Sequence, residues 1–438
     1  MNGTLAQVRS FNRPVRLLLI NQLSINIGFY MLMPYLAGYL SGTLALAAWT
    51  VGLILGVRNL SQQGMFLIGG SLADRLGPKP LILAGLGLRV AGFALLGFAT
   101  SVPVLIAASL LTGLAGALFN PAVRAYLAAE AGERKTEAFA VFNVFYQAGI
   151  LIGPLVGLAL LAADFRWVCA VAALLFLGLL IMQARALPAR SSRSAQSRTS
   201  MLADWRQVFT NRPFLLFSLA MVGSYVLNFQ VYLALPMRVR EVTGGETGVA
   251  VLFAISGLLT VVGQVRLTAW AKKRWTASAA IVRGLWLMAA AFLPVALTAG
   301  MGRAAPGPAS AALYLAPVML STVLLTLATM LVYPFEMTTI VGLAGPRLVG
   351  TYYGLYNTIA GVGIAAGNLL TGLALDAGRT YETPAVTWLL LTATGALCAY
   401  AVWSLSRAGR LAEPAGRATR PAAEQTVDTA APPQRSTR

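Results

Sequence analysis

The sequence predicts an all-α membrane protein in which twelve transmembrane helices form two matched six-helix bundles. Three observations lead there: the composition, the lengths of the apolar runs, and the side on which basic residues fall. Of 438 residues, 58% are hydrophobic and 11% are charged, whereas a soluble domain averages about 45–50% and about 25%. The mean hydropathy is +0.72. The chain has no histidine and two cysteines, so imidazole metal sites, Ser-His triads and histidine proton relays are excluded. Cys169 and Cys398 lie far apart in apolar stretches and make no metal-ligand spacing. No metal site and no organic cofactor are expected, and nothing suggests an enzyme.

Apolar runs occupy 15–40, 48–73, 80–100, 103–129, 138–162, 166–187, 212–240, 247–270, 277–300, 309–341, 350–375 and 384–406. Each is long enough for a helix to cross about 30 Å of hydrocarbon, and the longer ones can tilt. The first run follows Arg9, Arg13 and Arg16 and exceeds the core of a signal peptide, so it reads as a retained helix. Over alternating loops, 23 of the 33 basic residues fall on one side and five on the other, with Arg58, Arg89, Arg124, Arg266 and Arg283 inside runs. By the positive-inside rule both termini and the central loop are cytoplasmic, which requires an even number of helices. The formal charge of +19 is therefore topological, and no nucleic-acid partner is implied.

The longest polar stretch between runs is rich in Ser and Arg and divides the chain. The expected units are a six-helix bundle over 1–187, a cytoplasmic loop over 188–211, a second bundle over 212–406 and a disordered cytoplasmic tail over 407–438. An internal repeat supports the division. Asn120-Pro121, Asn143, Gly149, Gly153 and Leu158-Ala159-Leu160 are echoed by Tyr333-Pro334, Asn357, Gly363, Gly367 and Leu373-Ala374-Leu375, at offsets of 213–215 residues. Parallel six-helix halves of this kind are a transporter architecture, with substrate bound between them.

Two motifs carry more specific information. At the end of the second run stands Gly69-Gly70-Ser71-Leu72-Ala73-Asp74-Arg75-Leu76-Gly77-Pro78-Lys79. Gly77 and Pro78 force a tight turn, and Asp74, Arg75 and Lys79 place both signs of charge at the membrane surface. A carboxylate there can sit against a helix N-terminus and release it on protonation. In the fifth run, Gly149, Gly153 and Gly157 admit a close neighbouring helix, and Pro154 removes a backbone donor and bends the helix.

The loop motif resembles the signature loop of the major facilitator superfamily. The glycine motif of the fifth run resembles the antiporter motif of that superfamily's drug:proton exporters. The run from Gln62-Gln63-Gly64 to Leu81-Ile82, with Arg89-Val90-Ala91-Gly92-Phe93, is most similar to bacterial multidrug resistance transporters of the MdtH type. The resemblance extends over most of both halves. It implies the major facilitator fold and export of lipophilic drugs in exchange for protons by alternating access. A dedicated exporter or importer of one metabolite, lipid or siderophore is the alternative. It also implies that Asp74 caps the eleventh helix near Gly350, and that Arg75 or Lys79 pairs with Glu130 or Glu133. The chain departs from the family in the fourth helix, where Ser109 stands at the usual arginine position and Arg124 lies further along.

Proton coupling needs an acid in the membrane, where charge is costly. One proton crossing 100 mV yields about 2.3 kcal/mol. Of fourteen acids, nearly all fall in loops or at helix ends. Glu336, just past Pro334 in the tenth run, is the exception and the first candidate carrier; Asp74 is the second. Glu336 could instead pair with Arg124 or Arg266. Asp164 and Asp376 read as surface caps. The expected substrate-binding residues are Gln22, Asn26 and Tyr30 in helix 1, Asn143 and Gln147 in helix 5, Tyr225 and Asn228 in helix 7, and Tyr356 and Asn357 in helix 11. Mixed aromatic and amide walls suit bulky amphiphiles that need few fixed hydrogen bonds. A monomer in the inner or plasma membrane is expected, with lipid and substrate as its partners and the proton as coupling ion.

Overall fold

The computed structural model describes residues 8–66, 68–69, 72, 76–131, 135–188, 201–302, 307–344 and 349–411. Gly70, Asp74, Arg75 and Glu133, singled out in the sequence, lie outside them, as do most of the central loop and the tail from 412.

Helices are the main solution for a chain in hydrocarbon, because each helix satisfies its own backbone donors and acceptors. In chain order the long helices are α1 (Arg13–Thr43), α2 (Ala48–Gly64), α3 (Pro78–Phe98), α4 (Val102–Ala131), α5 (Lys135–Leu161) and α6 (Phe165–Ala186). They continue as α7 (Arg212–Thr243), α8 (Thr247–Arg274), α9 (Ala277–Leu297), α10 (Pro308–Ala344), α11 (Val349–Thr380) and α12 (Ala385–Arg407). Eleven of them contain a described segment long and apolar enough to cross a membrane. The continuous described part of α2, Ala48–Gly64, is 17 residues long. Leu258, Val261, Val262, Leu370 and Leu397 are exposed, as lipid-facing apolar side chains must be.

The packing repeats itself. Helix α1 lies on α5, α2 on α4 and α3 on α4 and α6; likewise α7 lies on α11, α8 on α10 and α9 on α10 and α12. Adding six to each number converts one half into the other. The repeat reaches side-chain chemistry that the sequence pattern did not disclose. Asn12-Arg13-Pro14 starts α1 and Asn211-Arg212-Pro213 starts α7. The side-chain oxygen of each asparagine accepts from the backbone three residues on, Val15 N and Phe214 N, both at 3.1 Å, and proline follows where no amide donor is needed. Each side-chain amide then reaches the end of the fourth helix of its own half. Asn12 donates to Glu130 at 3.0 Å and Asn211 to the Leu343 carbonyl at 3.1 Å.

The α5 glycines explain the α1–α5 contact. A Cβ on Gly153 would stand 2.7 Å from that of Tyr30, and one on Gly157 would run into the Met31 carbonyl. Tyr35 of α1 donates to the Pro154 carbonyl at 2.7 Å. Gly363 and Gly367 make the equivalent close approach of α11 to Val222 and Val226 of α7.

The halves meet along α2–α11 and, less extensively, α5–α8. In the first seam, Gly52 faces the Asn368 carbonyl, Gly56 the Ala365 carbonyl and Gly372 the Ala48 carbonyl. Thr358 adds a 3.2 Å hydrogen bond to the Gly64 carbonyl. The seam is locked at the face remote from the chain termini. Asp376, at the end of α11, accepts from the Ala48 and Trp49 amides at 3.0 and 2.8 Å and so caps α2 of the other half. Arg379 pairs with Glu241, and Arg238 of α7 reaches the same carboxylate at 3.3 Å. Beside them, Arg240 pairs with Glu246 at 2.5 Å; both side chains rest on Gly38 of α1, and Arg240 also on Gly42. Burial raises the Glu246 carboxyl above its ordinary range and Arg240 opposes the shift. Asp164 is a cap of the simpler kind: it accepts from the Arg166 amide of its own helix at 2.7 Å.

Two outcomes are expected. Gly157→Val overpacks α1 against α5 at a cost of about 1–3 kcal/mol, read as a lower thermal midpoint in detergent than for the wild type. Asp376→Asn removes the charge from the α2 N-terminus, a loss of about 1 kcal/mol. It should favour opening of this face and speed labelling of a Leu161→Cys reporter by an impermeant maleimide about fivefold.

Candidate functional site

Between the halves, towards the face that carries the chain termini, lies a cavity of about 520 Å³. The first half contributes Gln22 from α1, Gln62 and Gln63 from α2, Asn120 and Arg124 from α4, and Tyr146 from α5. The second contributes Tyr225 from α7, Met337 from α10, and Tyr353, Tyr356 and Asn357 from α11. The opposite face is closed by the network just described, so the cavity has one side of access.

Glu336 stands behind the second wall. It is 1% exposed, and its Oε1 accepts from the Tyr225 hydroxyl at 2.9 Å. Its Oε2 and the neighbouring Tyr356 hydroxyl are both buried, and the two groups lie beside one another. Tyr225 stacks on Tyr333 with ring centroids 5.4 Å apart and meets Tyr356 edge-on at 5.8 Å. The carboxyl is therefore enclosed by phenols, two of which also face the cavity. Neither Arg124 nor Arg266 pairs with it among the described residues. Its place in the helix follows from the sequence. Pro334 lies within α10, and Thr339, where the helix continues, returns its hydroxyl to the Phe335 carbonyl at 2.9 Å.

The first wall is of opposite sign. Arg58 in α2 is 7% exposed, donates to Asn59 at 2.7 Å and to Gln62 at 2.6 Å, and lies 4.6 Å from the Phe29 ring centroid. Arg89 in α3 is wrapped by Phe29, Phe119 and Phe176 at 5.6–5.8 Å.

Of the residues expected to bind substrate, Gln22, Tyr225, Tyr356 and Asn357 line the central cavity. Asn26 is committed to its neighbour helix, donating to the Tyr146 carbonyl at 3.2 Å. Tyr30 packs edge-on against Phe29 at 5.1 Å, beside Gly153. Asn228 lines a second cavity of about 420 Å³, with Gln264, Tyr333 and Met337. Asn143 is exposed, and neither it nor Gln147 belongs to the central lining. In the motif loop, Gly77 has φ +81°, a left-handed conformation that favours glycine. Lys79 donates to the Ala184 carbonyl of α6 at 3.1 Å, while Glu130 accepts from Asn12. The lining residues Gln62, Gln63 and Asn120 were not anticipated. The available signal was that they are amides within otherwise apolar runs.

The fold and the wall of unlike charges define a multi-pass membrane transporter. The family model described as Major Facilitator Superfamily matches residues 18–368, and the chain belongs to that family. An uncharacterised MFS-type transporter of Mycobacterium tuberculosis is 54% identical over 388 residues, 88% of this chain and 91% of that protein. Multidrug resistance protein MdtH of Salmonella arizonae is 30% identical over 393 residues, 89% and 93% of the two chains. Among solved structures, a POT family transporter superposes with a TM-score of 0.72 at 14% identity, covering 92% of this chain and 99% of its own. The nucleoside transporter NupG gives 0.72 at 14%, covering 88% and 99%. These structures share the fold.

Tyr225→Phe should leave Glu336 without its donor at a cost of about 1–3 kcal/mol. The thermal midpoint in detergent should fall, and the same substitution in a Glu336→Leu background should lower it much less.

Proposed function

We propose that this transporter exports lipophilic, amphiphilic small molecules in exchange for protons, by alternating access. The observation that carries the reading is Glu336, the one acid among the buried described residues. Its hydrogen-bond partner Tyr225 forms part of the cavity wall. A carboxyl so placed can bind either a proton or the cationic part of a substrate, and antiport requires that mutual exclusion. The similarity to MdtH over nearly the whole chain supports a drug-like cargo, as does a lining of tyrosines, amides and Met337.

In this reading both termini and the central loop are cytoplasmic, the membrane is the inner or plasma membrane, and the protein works as a monomer. The central cavity is then the inward-facing state. Substrate loads from the cytoplasm while Asp376 on the α2 N-terminus, with Arg240 and Glu246 against α1, holds the outer face shut. Opening outward releases α2 from Asp376 and closes the cytoplasmic side, where Asp74 takes the corresponding place at the start of α11. Small residues along α2–α11 let the two helices pivot without losing contact.

Dye efflux from proteoliposomes under an imposed pH gradient tests this directly. Glu336→Gln should abolish uphill transport while downhill exchange persists, and Asp74→Asn should slow the cycle in both modes. Uphill efflux by Glu336→Gln at the wild-type rate would remove Glu336 as the carrier, and efflux indifferent to the gradient would remove antiport.

A further inference from the structure

The two walls of the cavity are built alike and charged oppositely. On one, Glu336 stands behind Tyr225; on the other, Arg58 stands behind Gln62. Each charged group is more than nine-tenths buried and touches the cavity through a neutral side chain that itself lines it. Among the described residues no carboxylate pairs with Arg58, and its Nε is buried with no acceptor. A guanidinium offers five donor hydrogens, and Asn59 and Gln62 are its two hydrogen-bond acceptors. Arg89 is also uncompensated, but three aromatic rings enclose it, and it has no such link to the cavity. Arg124 adds a second positive side chain on the same wall, at the lining itself.

A buried cation without a counter-ion is costly unless something else supplies the charge. We propose that Arg58 and Gln62 form an anion subsite, with Arg124 further along the same wall, and that the substrates are amphiphiles carrying both a cationic centre and a carboxylate. The inference rests on the export reading and narrows its substrate class. The carboxylate takes the place of the Gln62 oxygen on the guanidinium, and the Gln62 amide turns its donors to the same anion. The cationic centre meets the opposite wall, where it competes with the proton for Glu336. Charge is thus balanced at both ends of the bound molecule, and exchange with the proton is confined to one end.

Rhodamine B, which carries both charges, and its ethyl ester, which lacks the carboxylate, separate the two ends. Fluorescence polarisation with the full-length protein in detergent should show the zwitterion bound about tenfold more tightly than the ester, the scale of one charge-assisted hydrogen bond. Arg58→Gln should erase that ratio and Arg124→Gln should reduce it, with the ester still bound by both variants. The proposal fails if wild type binds the dyes equally or binds neither. It also fails if both variants keep the ratio, or if Arg58→Gln loses both dyes together, which would make Arg58 structural. Failure of the export reading looks different: the ratio would stand, but proteoliposomes would move neither dye in response to a pH gradient.

Discussion

The contact on which the rest of the structure depends is the glycine-lined seam between α2 and α11, closed at one end by Asp376. Gly52, Gly56 and Gly372 bring one helix against the carbonyls of the other, where the gain is van der Waals packing, because lipid supplies no hydrophobic drive between helices. Such a surface has few interlocking side chains and tolerates a change of angle. The specific attachment comes from the carboxylate on the α2 N-terminus, a charge-assisted contact between halves that have no covalent link nearby. The seam is closed at that end, and the cavity lies towards the other.

Charge is distributed to suit this geometry. Ionic contacts between Arg238, Glu241, Arg379 and Asp376 gather at the closed face, where water can solvate whatever the pairs leave unmet. Inside the membrane the charges stay apart: Arg58 and Arg89 belong to the first half, and Glu336 to the second. Had Arg58 and Glu336 paired directly, the halves would be tied at the centre and the cavity would be neutral. Separation leaves each group held by hydrogen bonds or aromatic rings of its own half.

The internal repeat explains why so much recurs. The Asn-Arg-Pro starts of α1 and α7 solve the same problem of capping a helix and fastening it to the fourth helix of its half. The glycines of α5 and α11 fit α1 and α7 in the same way. The halves differ near the cavity in at least one such pair. Position 120 is asparagine in α4 and its counterpart in α10 is Tyr333, so one wall became an amide surface and the other a phenolic one around Glu336.

Helix number, the duplicated architecture and the isolation of Glu336 were legible in the sequence, because a span in hydrocarbon must be continuously apolar and a lone acid stands out against it. The family followed from the residues between Gly69 and Lys79 and from the glycines of α5, whose spacing is set by turns and close helix contacts. What side chains do across helices was not legible. Asn26 and Gln22 are four residues apart on one helix, yet one bonds to α5 and the other lines the cavity. Asp376 reads as a surface cap, and it caps a helix more than 300 residues away in sequence. Arg58 gave no sign that Gln62 would link it to the lumen. Periodicity specifies which residues share a helix face, but the rotation of each helix against its neighbours is set by packing, and that alone decides which polar groups meet.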